Sequence, residues 1–325
     1  MKKGKIAENM LNRSVFKLFR HRRKEVYKKP TVGDDCAVVN AKDNNICLTT
    51  NPVVLPLEDL GKKSIHYVAN NIACKGAQII GVLVNVLLPA YSDEKDIKLI
   101  MNDLEKVCGE LNIEVMGGHT EMFDNVTKPM LVMTGVGKLQ EKDMLDTKSI
   151  QPGDDIVLTK WAGMEGAAII AKDKKEELLS KYKEELIDNA IELADYISVI
   201  NDATIAKENG AMYMHDVTTT GVYGALWELS CGIKHGIEVD LQSIPIKQER
   251  VEVCEFFDVN PYLLSSRGAL LVVARDGEKI VDALVREGID ASVIGKVCDH
   301  NNKIVKNEDE MRYLDPPSPK EILGR

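Results

Sequence analysis

The chain alternates short apolar runs that suit strands with longer segments that suit helices, and this alternation constrains its fold most. In the first half, the runs AVV, ICLTT and IGVLVNVLL are rich in β-branched residues and of strand length. Residues 92–112 carry apolar side chains at helical spacing, with Ser92 or Asp93 as the cap. The predicted order is strand, helix, strand, helix, strand, strand, which is typical of a mixed sheet covered by helices.

A second domain is predicted to begin near residue 148, because Pro152 and Gly153 form a turn before a new strand. One long helical region is predicted from about Lys174 to Glu208. After it come the strand AMYMHDV, the helix GVYGALWELSCGI, the strand GALLVVA, the helix EKIVDALVREG and the strand ASVIGKV. The predicted fold class is therefore α/β or α+β, with a basic arm or helix at 1–31 and domains at 32–148 and 149–325.

Composition excludes several classes of protein. The chain has 325 residues and a formal net charge of −9, which argues against a general nucleic-acid binder. No run reaches the roughly 18 consecutive apolar residues of a membrane span. Seven scattered cysteines without a CxxC pair indicate reduced thiols and a cytoplasmic protein. The basic stretch at 13–29 is amphipathic; a solvated helix face is its simplest interpretation, and contact with a polyanion or nucleotide is the alternative.

The segment TVGDDCAVV (31–39) sets two adjacent carboxylates, Asp34 and Asp35, after Gly33 and before a strand. Mg²⁺ prefers oxygen ligands and often bridges to nucleotide phosphates, so this pair suits a magnesium site. A Gly-Asp-Asp turn without any ligand explains the same residues equally simply. Both interpretations stay open on these residues alone.

The segment MGGHTE (116–121) follows a strand with Gly117 and Gly118, and then carries His119 and Glu121. Paired glycines let a backbone come close to a ligand and expose N–H groups to an anion. A turn with a surface histidine is the alternative. The H-x-E spacing suggests part of a transition-metal site, but no third ligand is evident.

The segment MHDVTTTGVYGALWEL (214–229) places Asp216 and three threonines, from Thr218 onward, before a helix that opens at about Gly221. A helix N-terminus with hydroxyls and free amides binds anions, and the same threonines also suit a plain cap. The segment LTKWAGMEGAA offers Lys160 and a Gly-rich turn as a weaker signal. No P-loop, dinucleotide-binding motif or nucleophile elbow occurs in the sequence.

Together and in this order, these stretches resemble the aminoimidazole ribonucleotide (AIR) synthetase superfamily, and within it the branch of HypE-like hydrogenase maturation proteins. The resemblance extends from about Asn12 to Val297 and includes LTTNPVV, VANNIACKGAQ and NPYLLSSRGALLVVA. It implies a PurM-like fold, in which the N-terminal domain pairs with its copy through an intersubunit β-barrel beside a C-terminal α/β domain. It also implies that ATP and Mg²⁺ are bound and that a substrate oxygen is phosphorylated.

The resemblance also assigns expected roles to individual residues. The expected metal ligands are Asp34, Asp35, Asn51, Asn71 and Glu121. The residues expected on the nucleotide or acceptor side are Gly33, Asn71, Gly117, Gly118, Thr218 and Gly221. The best candidates for a general base are His119 and Asp216.

Departures from the superfamily pattern bear on activity. Asn51 and Asn71 stand where the pattern has metal-binding aspartates, in TTNP for TTDP and NN for ND. Two unit charges about 4 Å apart at an effective dielectric of about 20 interact by about 4 kcal/mol, so an impaired or altered metal site is expected. Asn70 and Asn71 are expected to face a polar cleft. After Asp216, this chain reads VTTTG where the superfamily pattern is PTxGG. HypE proteins react on a cysteine at their own C-terminus; because the last cysteine here is Cys298, such a reaction is not expected.

The expected function is ATP- and Mg²⁺-dependent activation of a carbonyl or amide oxygen by phosphorylation, on a small molecule or a protein-bound group, with hydrogenase maturation as its setting. Two alternatives stay open. One is a non-catalytic relative that binds a nucleotide or partner through a degraded metal site. The other is a kinase similar to thiamine-monophosphate kinase. The expected partners are the substrate and a second copy of the chain, with no nucleic acid and no membrane.

Overall fold

The computed structural model describes residues 8, 9, 12, 31–34, 36–41, 44–140, 142 and 144–317. They divide into two compact units. The N-terminal unit contains the described residues of Asp35–Met144, and the C-terminal unit contains those of Met1–Arg20, Thr31–Asp34 and Leu145–Arg325. The basic stretch at 13–29 and the expected ligand Asp35 lie outside the described residues.

The N-terminal unit is a five-stranded sheet with strand order β1-β2-β5-β3-β4 and two helices. Only β3 and β4 pair in parallel among its described strands. The first helix packs on the sheet, and the second packs on the first. The elements are β1 (Ala37–Ala41), β2 (Asn44–Val53), α1 (Leu57–Ala73), β3 (Gln78–Pro89), α2 (Glu94–Leu111), β4 (Glu114–Phe123) and β5 (Met130–Leu139).

The order of elements predicted for this half is confirmed except at its start, where two strands instead of one precede the first helix. The predicted cap of the second helix is also confirmed. Asp93 precedes α2, and its Oδ1 accepts hydrogen bonds from the backbone N–H groups of Lys95 at 2.7 Å and Asp96 at 3.2 Å. The Asp96 carboxylate accepts from the backbone N–H of Asp93 in return. This reciprocal capping box satisfies N–H groups that a helix start otherwise leaves unpaired.

Two glycines of β5 let α1 lie close against the sheet. A Cβ atom at Gly135 would lie 3.0 Å from the Val68 Cβ, and one at Gly137 would lie 2.5 Å from the Ile72 Cγ2. Larger residues at these strand positions would push α1 away from the sheet. On the opposite face of the sheet, apolar side chains remain exposed, among them Ile46 and Leu83.

The C-terminal unit is built on a seven-stranded sheet with strand order β12-β11-β8-β10-β6-β9-β7. Helix α7 packs on one face with the main apolar core, and α6 and α9 pack on the other. The strands are β6 (Asp155–Thr159), β7 (Ala211–Asp216), β8 (Gly236–Asp240), β9 (Leu270–Ala274), β10 (Ala291–Cys298), β11 (Lys303–Asn307) and β12 (Glu310–Tyr313). The helices are α3 (Met164–Asp173), α4 (Lys175–Leu178), α5 (Glu184–Glu192), α6 (Ile200–Glu208), α7 (Gly221–Ile233), α8 (Gln248–Phe256) and α9 (Gly277–Arg286).

The long helical region predicted from about Lys174 to Glu208 is helical but interrupted, because it forms the three short helices α4, α5 and α6. Between α4 and α5 the chain turns at Tyr182, whose hydroxyl donates to the carbonyl oxygen of Glu252 at 3.2 Å. This tertiary bond holds a turn where the local sequence favours a continuous helix. Among the described residues, no helix is long and apolar enough to cross a membrane.

A buried ammonium joins three segments of the C-terminal unit. Lys160 follows β6 directly, and its Nζ donates to Asp202 Oδ1 at 2.5 Å and to the carbonyl oxygens of Ser198 at 3.0 Å and Gly268 at 2.7 Å. Asp202 Oδ1 also accepts from the Thr159 hydroxyl at 2.7 Å. The three oxygen atoms that accept from Lys160 Nζ match the three N–H donors of an ammonium group. Burial lowers the pKa of Lys160, and Asp202 opposes that shift. The Lys160 signal in the sequence is therefore explained by packing.

Replacing this lysine tests the network. Lys160→Met leaves the buried Asp202 carboxylate without its counter-charge, so we expect the free energy of unfolding to fall by about 3–5 kcal/mol. Urea denaturation followed by circular dichroism measures the loss. The control is Lys296→Met, which removes an exposed ammonium bonded to Asp155 and should cost no more than about 1 kcal/mol. Equal losses in the two variants would show that the buried network is not stabilising.

A second prediction concerns His66, which is buried on α1 with an Nδ1 atom that lacks a hydrogen-bond partner. Burial lowers the pKa of His66 from 6.5 to about 4, while Glu110 opposes the shift. Between these values the unfolded chain binds a proton that the folded chain does not, so the free energy of unfolding falls as the pH drops from 6.5 towards 4. The difference between the two pKa values corresponds to about 3 kcal/mol at most. Urea denaturation across this pH range should show a shallower fall for His66→Gln; identical pH profiles would contradict the assignment.

Candidate functional site

Asn71 lies on α1 where that helix packs on β2. Its Nδ2 donates a hydrogen bond to the Thr49 hydroxyl oxygen at 3.1 Å, and its backbone carbonyl accepts one from the Cys36 thiol at 3.1 Å. Asn70 and Asn71 are only 2% and 7% exposed. Both asparagines are therefore buried in the N-terminal unit, where hydrogen bonds offset the cost of burying the Asn71 amide.

Asn51 lies on the same face of β2 as Thr49, because side chains two residues apart on a strand point to the same side. This face is the one that α1 covers, and Asn51 is half-buried there. Asn51 and Asn71 thus belong to the same helix-covered side of the sheet. Amide oxygens suit a hard cation by ligand type, although they add no charge to balance it.

Gly33 and Asp34 belong to the C-terminal unit. The Tyr213 hydroxyl donates to the Gly33 carbonyl oxygen. Gly33 has a φ of +81°, and a Cβ there would lie 2.3 Å from the carbonyl oxygen of Glu228 on α7. Packing against α7 therefore requires glycine at this position. Asp34 is half-buried and forms an isolated β-bridge with Thr31.

Gly117 and Gly118 lie within strand β4, so the turn that the sequence offered as one interpretation is not formed there. Their φ angles are +154° and +157°, and a Cβ at Gly118 would lie 1.9 Å from the Val84 carbonyl oxygen. Close pairing with β3 thus explains the need for glycine at 118. Further along β4, His119 Nε2 lies 2.8 Å from Glu121 Oε2, with the two side chains 63% and 51% exposed.

Strand register separates this pair from the asparagines. Asn51 pairs with Met133, Met133 with Val84, and Val84 with Gly118, so these residues form a row across four strands. At about 4.8 Å per strand the row spans about 14 Å. His119 follows Gly118 and therefore points to the face that α1 does not cover. Within the N-terminal unit, the structure brings Asn51 and Asn71 to one face and His119 and Glu121 to the other.

The turn before α7 holds the remaining candidates. Asp216 ends β7 and is buried. The backbone carbonyl oxygen of Thr218 accepts a hydrogen bond from the backbone N–H of Gly221 at 3.1 Å. Gly221 has a φ of +67°, and a Cβ there would lie 2.4 Å from the Tyr262 carbonyl oxygen. The threonine cap suggested by the sequence is not formed: Thr220 precedes the helix, and its buried hydroxyl has no hydrogen-bond partner.

Sequence reasoning missed a buried pair beside Asp216. His215 Nε2, on β7, lies 3.1 Å from Glu228 Oε2, on α7, and both side chains are nearly inaccessible. No motif links the two residues, and only the packing of α7 on the sheet brings them together. Sequence reasoning also missed Arg250, which is fully buried, with its guanidinium 5.5 Å from the centre of the Trp161 ring. Burial lowers the pKa of Arg250 to about 10.

Comparison with known proteins gives two family matches and several relatives. A carbamoyl dehydratase HypE of Rhizobium leguminosarum bv. viciae is 23% identical over 84% of this chain and 79% of that protein. A selenide, water dikinase of Methanococcus maripaludis is 25% identical over 89% of this chain and 91% of that protein. Residues 33–139 match the family model for the N-terminal domain of AIR synthase related proteins, and residues 151–307 match the model for their C-terminal domain.

Solved structures show the same fold. A HypE–HypF complex matches with a TM-score of 0.78 and 21% identity, over 95% of this chain and 99% of that chain. HypE in complex with ATP matches with a TM-score of 0.69 and 15% identity, over 99% and 97% of the two chains. Thiamine monophosphate kinase from Aquifex aeolicus matches with a TM-score of 0.67 and 17% identity, over 87% and 94%. The chain has the PurM-like fold and belongs to the AIR synthase related proteins, close to HypE.

Proposed function

We propose that this protein is a HypE-like enzyme that uses ATP and Mg²⁺ to phosphorylate, and so activate, a carbonyl or amide oxygen in hydrogenase maturation. The observation that carries the proposal is similarity to HypE over both units, with 95% of this chain and 99% of the HypE chain aligned. Relatives named carbamoyl dehydratase and a HypE structure with ATP support the same chemistry. Thiamine monophosphate kinase matches this chain with a lower TM-score, 0.67 against 0.78 for HypE in the HypE–HypF complex.

The donor atoms present suit a hard cation. Within the N-terminal unit, Asn51 and Asn71 offer amide oxygen atoms, the ligand type that Mg²⁺ prefers. The Asn71 amide nitrogen is engaged by Thr49, so the amide oxygen is the atom through which Asn71 would ligate. When bound, ATP with Mg²⁺ supplies the transferable phosphoryl group and neutralises its oxygens. Of the other expected ligands, Asp35 lies outside the described residues, and Glu121 lies on the face of the sheet opposite to Asn51 and Asn71.

Among the candidates, His119 is the exposed group that can accept a proton, and it lies on the face of the N-terminal sheet opposite to Asn51 and Asn71. When its Nε2–H donates to Glu121 Oε2 across 2.8 Å, Nδ1 is left as the basic nitrogen of the ring. Glu121 then acts as a positioning residue that fixes the tautomer, as a carboxylate commonly does beside a working histidine. Asp216 is the second candidate, although it is buried.

Transfer of oxygen-18 tests the proposal directly. With ATP and a carbamoyl thioester labelled at its carbonyl oxygen, attack of that oxygen on the γ-phosphorus and loss of phosphate should place the label in inorganic phosphate. Mass spectrometry of the phosphate measures it, and His119→Gln should slow the transfer by about 100-fold or more. A stable phosphorylated product would indicate a kinase instead. ATP binding without any transfer would support the second candidate function described next.

A non-catalytic role is the second candidate, and a specific observation favours it. Asn51 and Asn71 carry no charge, and the Asn71 amide already forms a hydrogen bond that stabilises the packing of α1 on β2. A relative of this kind keeps the fold and binds a nucleotide or a partner protein without turnover. All seven cysteines are free thiols, which supports a reducing compartment such as the cytoplasm for either role.

We also propose that the open face of the N-terminal sheet binds a second copy of the chain. This face exposes Ile46, Ile80 and Leu83, and edge strand β4 is exposed along almost its whole length. Contiguous apolar surface of this kind marks an interaction site, and an unpaired edge strand favours pairing with another strand. The superfamily's intersubunit barrel supports the assignment to a homodimer.

A matched pair of variants tests the dimer. Leu83 on the open face and Leu99 on α2 are similarly exposed, at 43% and 39%. Leu83→Lys places a charge in the proposed interface and should raise the dimer dissociation constant by about 100-fold, whereas Leu99→Lys should leave it unchanged. Sedimentation equilibrium measures both constants. A wild-type monomer at micromolar concentration, or equal effects of the two variants, would contradict the proposal.

A further inference from the structure

We propose that the C-terminal unit binds one zinc-class divalent ion through Glu238, Cys298 and His300. These residues offer a carboxylate oxygen, a sulfur and an imidazole nitrogen, and the three atoms all lie within 4.8 Å of one another. A set with sulfur and nitrogen selects a borderline-soft ion such as Zn²⁺ over Mg²⁺, which prefers oxygen ligands throughout. The site is therefore separate in chemistry from the proposed ATP and Mg²⁺ function, and it does not depend on it.

Strand pairing places two of the ligands on one face of the sheet. Cys298, the last residue of β10, pairs with Gly236 on β8. Glu238 lies two residues beyond Gly236 and therefore on the same face, as a diagonal neighbour of Cys298. Gly236 has no side chain, so the surface between the two ligands stays open.

His300 fills that opening. The turn after β10 is held to β8 by two backbone hydrogen bonds, from Gly236 N to His300 O at 2.6 Å and from Ile237 N to Asn302 O at 2.9 Å. A Cβ at Gly236 would lie 2.0 Å from the His300 carbonyl oxygen and 2.6 Å from its Nδ1. Only glycine lets the imidazole lie against β8, so the backbone already holds this ligand in place before an ion binds.

The separation of the ligand atoms fits tetrahedral zinc. His300 Nε2 lies 3.4 Å from Glu238 Oε1, too far for a strong charge-assisted hydrogen bond. Two ligands each about 2.1 Å from a tetrahedral ion lie about 3.4 Å apart, which is the spacing found here. Because all three ligand atoms lie within 4.8 Å of one another, the sulfur needs to move by about 1 Å at most to complete three protein ligands, and water takes the fourth position.

The local charges balance with an ion bound. Carboxylate and thiolate together neutralise a divalent ion, and the thiol proton leaves to solvent on binding. Lys306 Nζ donates to Glu238 Oε2, which leaves Oε1 as the ligand atom. The positive charge of Lys306 is offset by the Asp299 carboxylate, which also lies near Cys298. The Asn302 N–H donates to His300 Nδ1 at a weak 3.3 Å. Ligation through Nε2 moves the ring proton to Nδ1 and gives up that contact.

Cobalt titration of the full chain, stripped of metal with a chelator, tests the site. Co²⁺ reports tetrahedral thiolate ligation by its sulfur-to-metal charge-transfer band and strong visible bands. We expect one equivalent to bind and Zn²⁺ to displace it. Cys298→Ser should abolish the charge-transfer band, and His300→Asn should weaken binding by about 10-fold or more.

Cys231→Ser is the matched control, since Cys231 is a half-buried thiol of the same unit bonded to Glu8; it should leave the band and affinity unchanged. Circular dichroism checks that each variant is folded, and His300→Asn, a surface-turn change, provides a second route if Cys298→Ser unfolds. Failure of the wild type to bind a stoichiometric ion would overturn the proposal. A charge-transfer band that persists in Cys298→Ser, or unchanged affinity in His300→Asn, would overturn it as well.

Discussion

The close packing of α1 on strand β5 determines the geometry of the N-terminal unit. A methyl group at Gly137 would lie 2.5 Å from a methyl carbon of Ile72, so the helix reaches this position only because the strand carries glycine there. At this separation, the Asn71 amide reaches Thr49 on β2 and its carbonyl reaches the Cys36 thiol. The contact that builds the core thus also fixes Asn71 and joins its carbonyl to Cys36, the residue that follows the Gly-Asp-Asp segment in the chain.

The Asn71–Thr49 bond explains how the chain keeps the fold while changing the charge of the site. An asparagine donates its N–H to the threonine hydroxyl, whereas an aspartate of the same shape would accept the hydroxyl proton instead. Either residue satisfies the buried pair, so packing does not select between them. The difference is electrostatic: the neutral pair Asn51 and Asn71 offers oxygen ligands without the charge that the superfamily pattern supplies. For the proposed metal site, these two positions therefore matter more to ion binding than to folding.

Most helices and strands could be predicted from the sequence, because each depends on residues that lie close together in the chain. The Asp93 cap and α7 at Gly221–Ile233 follow from residues within one or two turns. The break of the 174–208 region was not predictable locally, since Tyr182 is held by the distant Glu252. The glycines at 33 and 118 suggested ligand binding, yet each meets another backbone, a long-range contact that no spacing reveals. For the same reason the His215–Glu228 pair and the burial of Asn70 emerged only from the structure.

Calorimetric titration of ATP into the wild-type protein, with and without Mg²⁺, tests the central claim most directly. The account predicts Mg²⁺-dependent binding with a dissociation constant on the order of micromolar, about −8 kcal/mol. The double variant Asn51→Asp/Asn71→Asp should bind more tightly, because added carboxylates restore charge opposite the metal. Binding by the double variant alone would contradict an active wild-type enzyme and would indicate that the two asparagines have disabled the metal site.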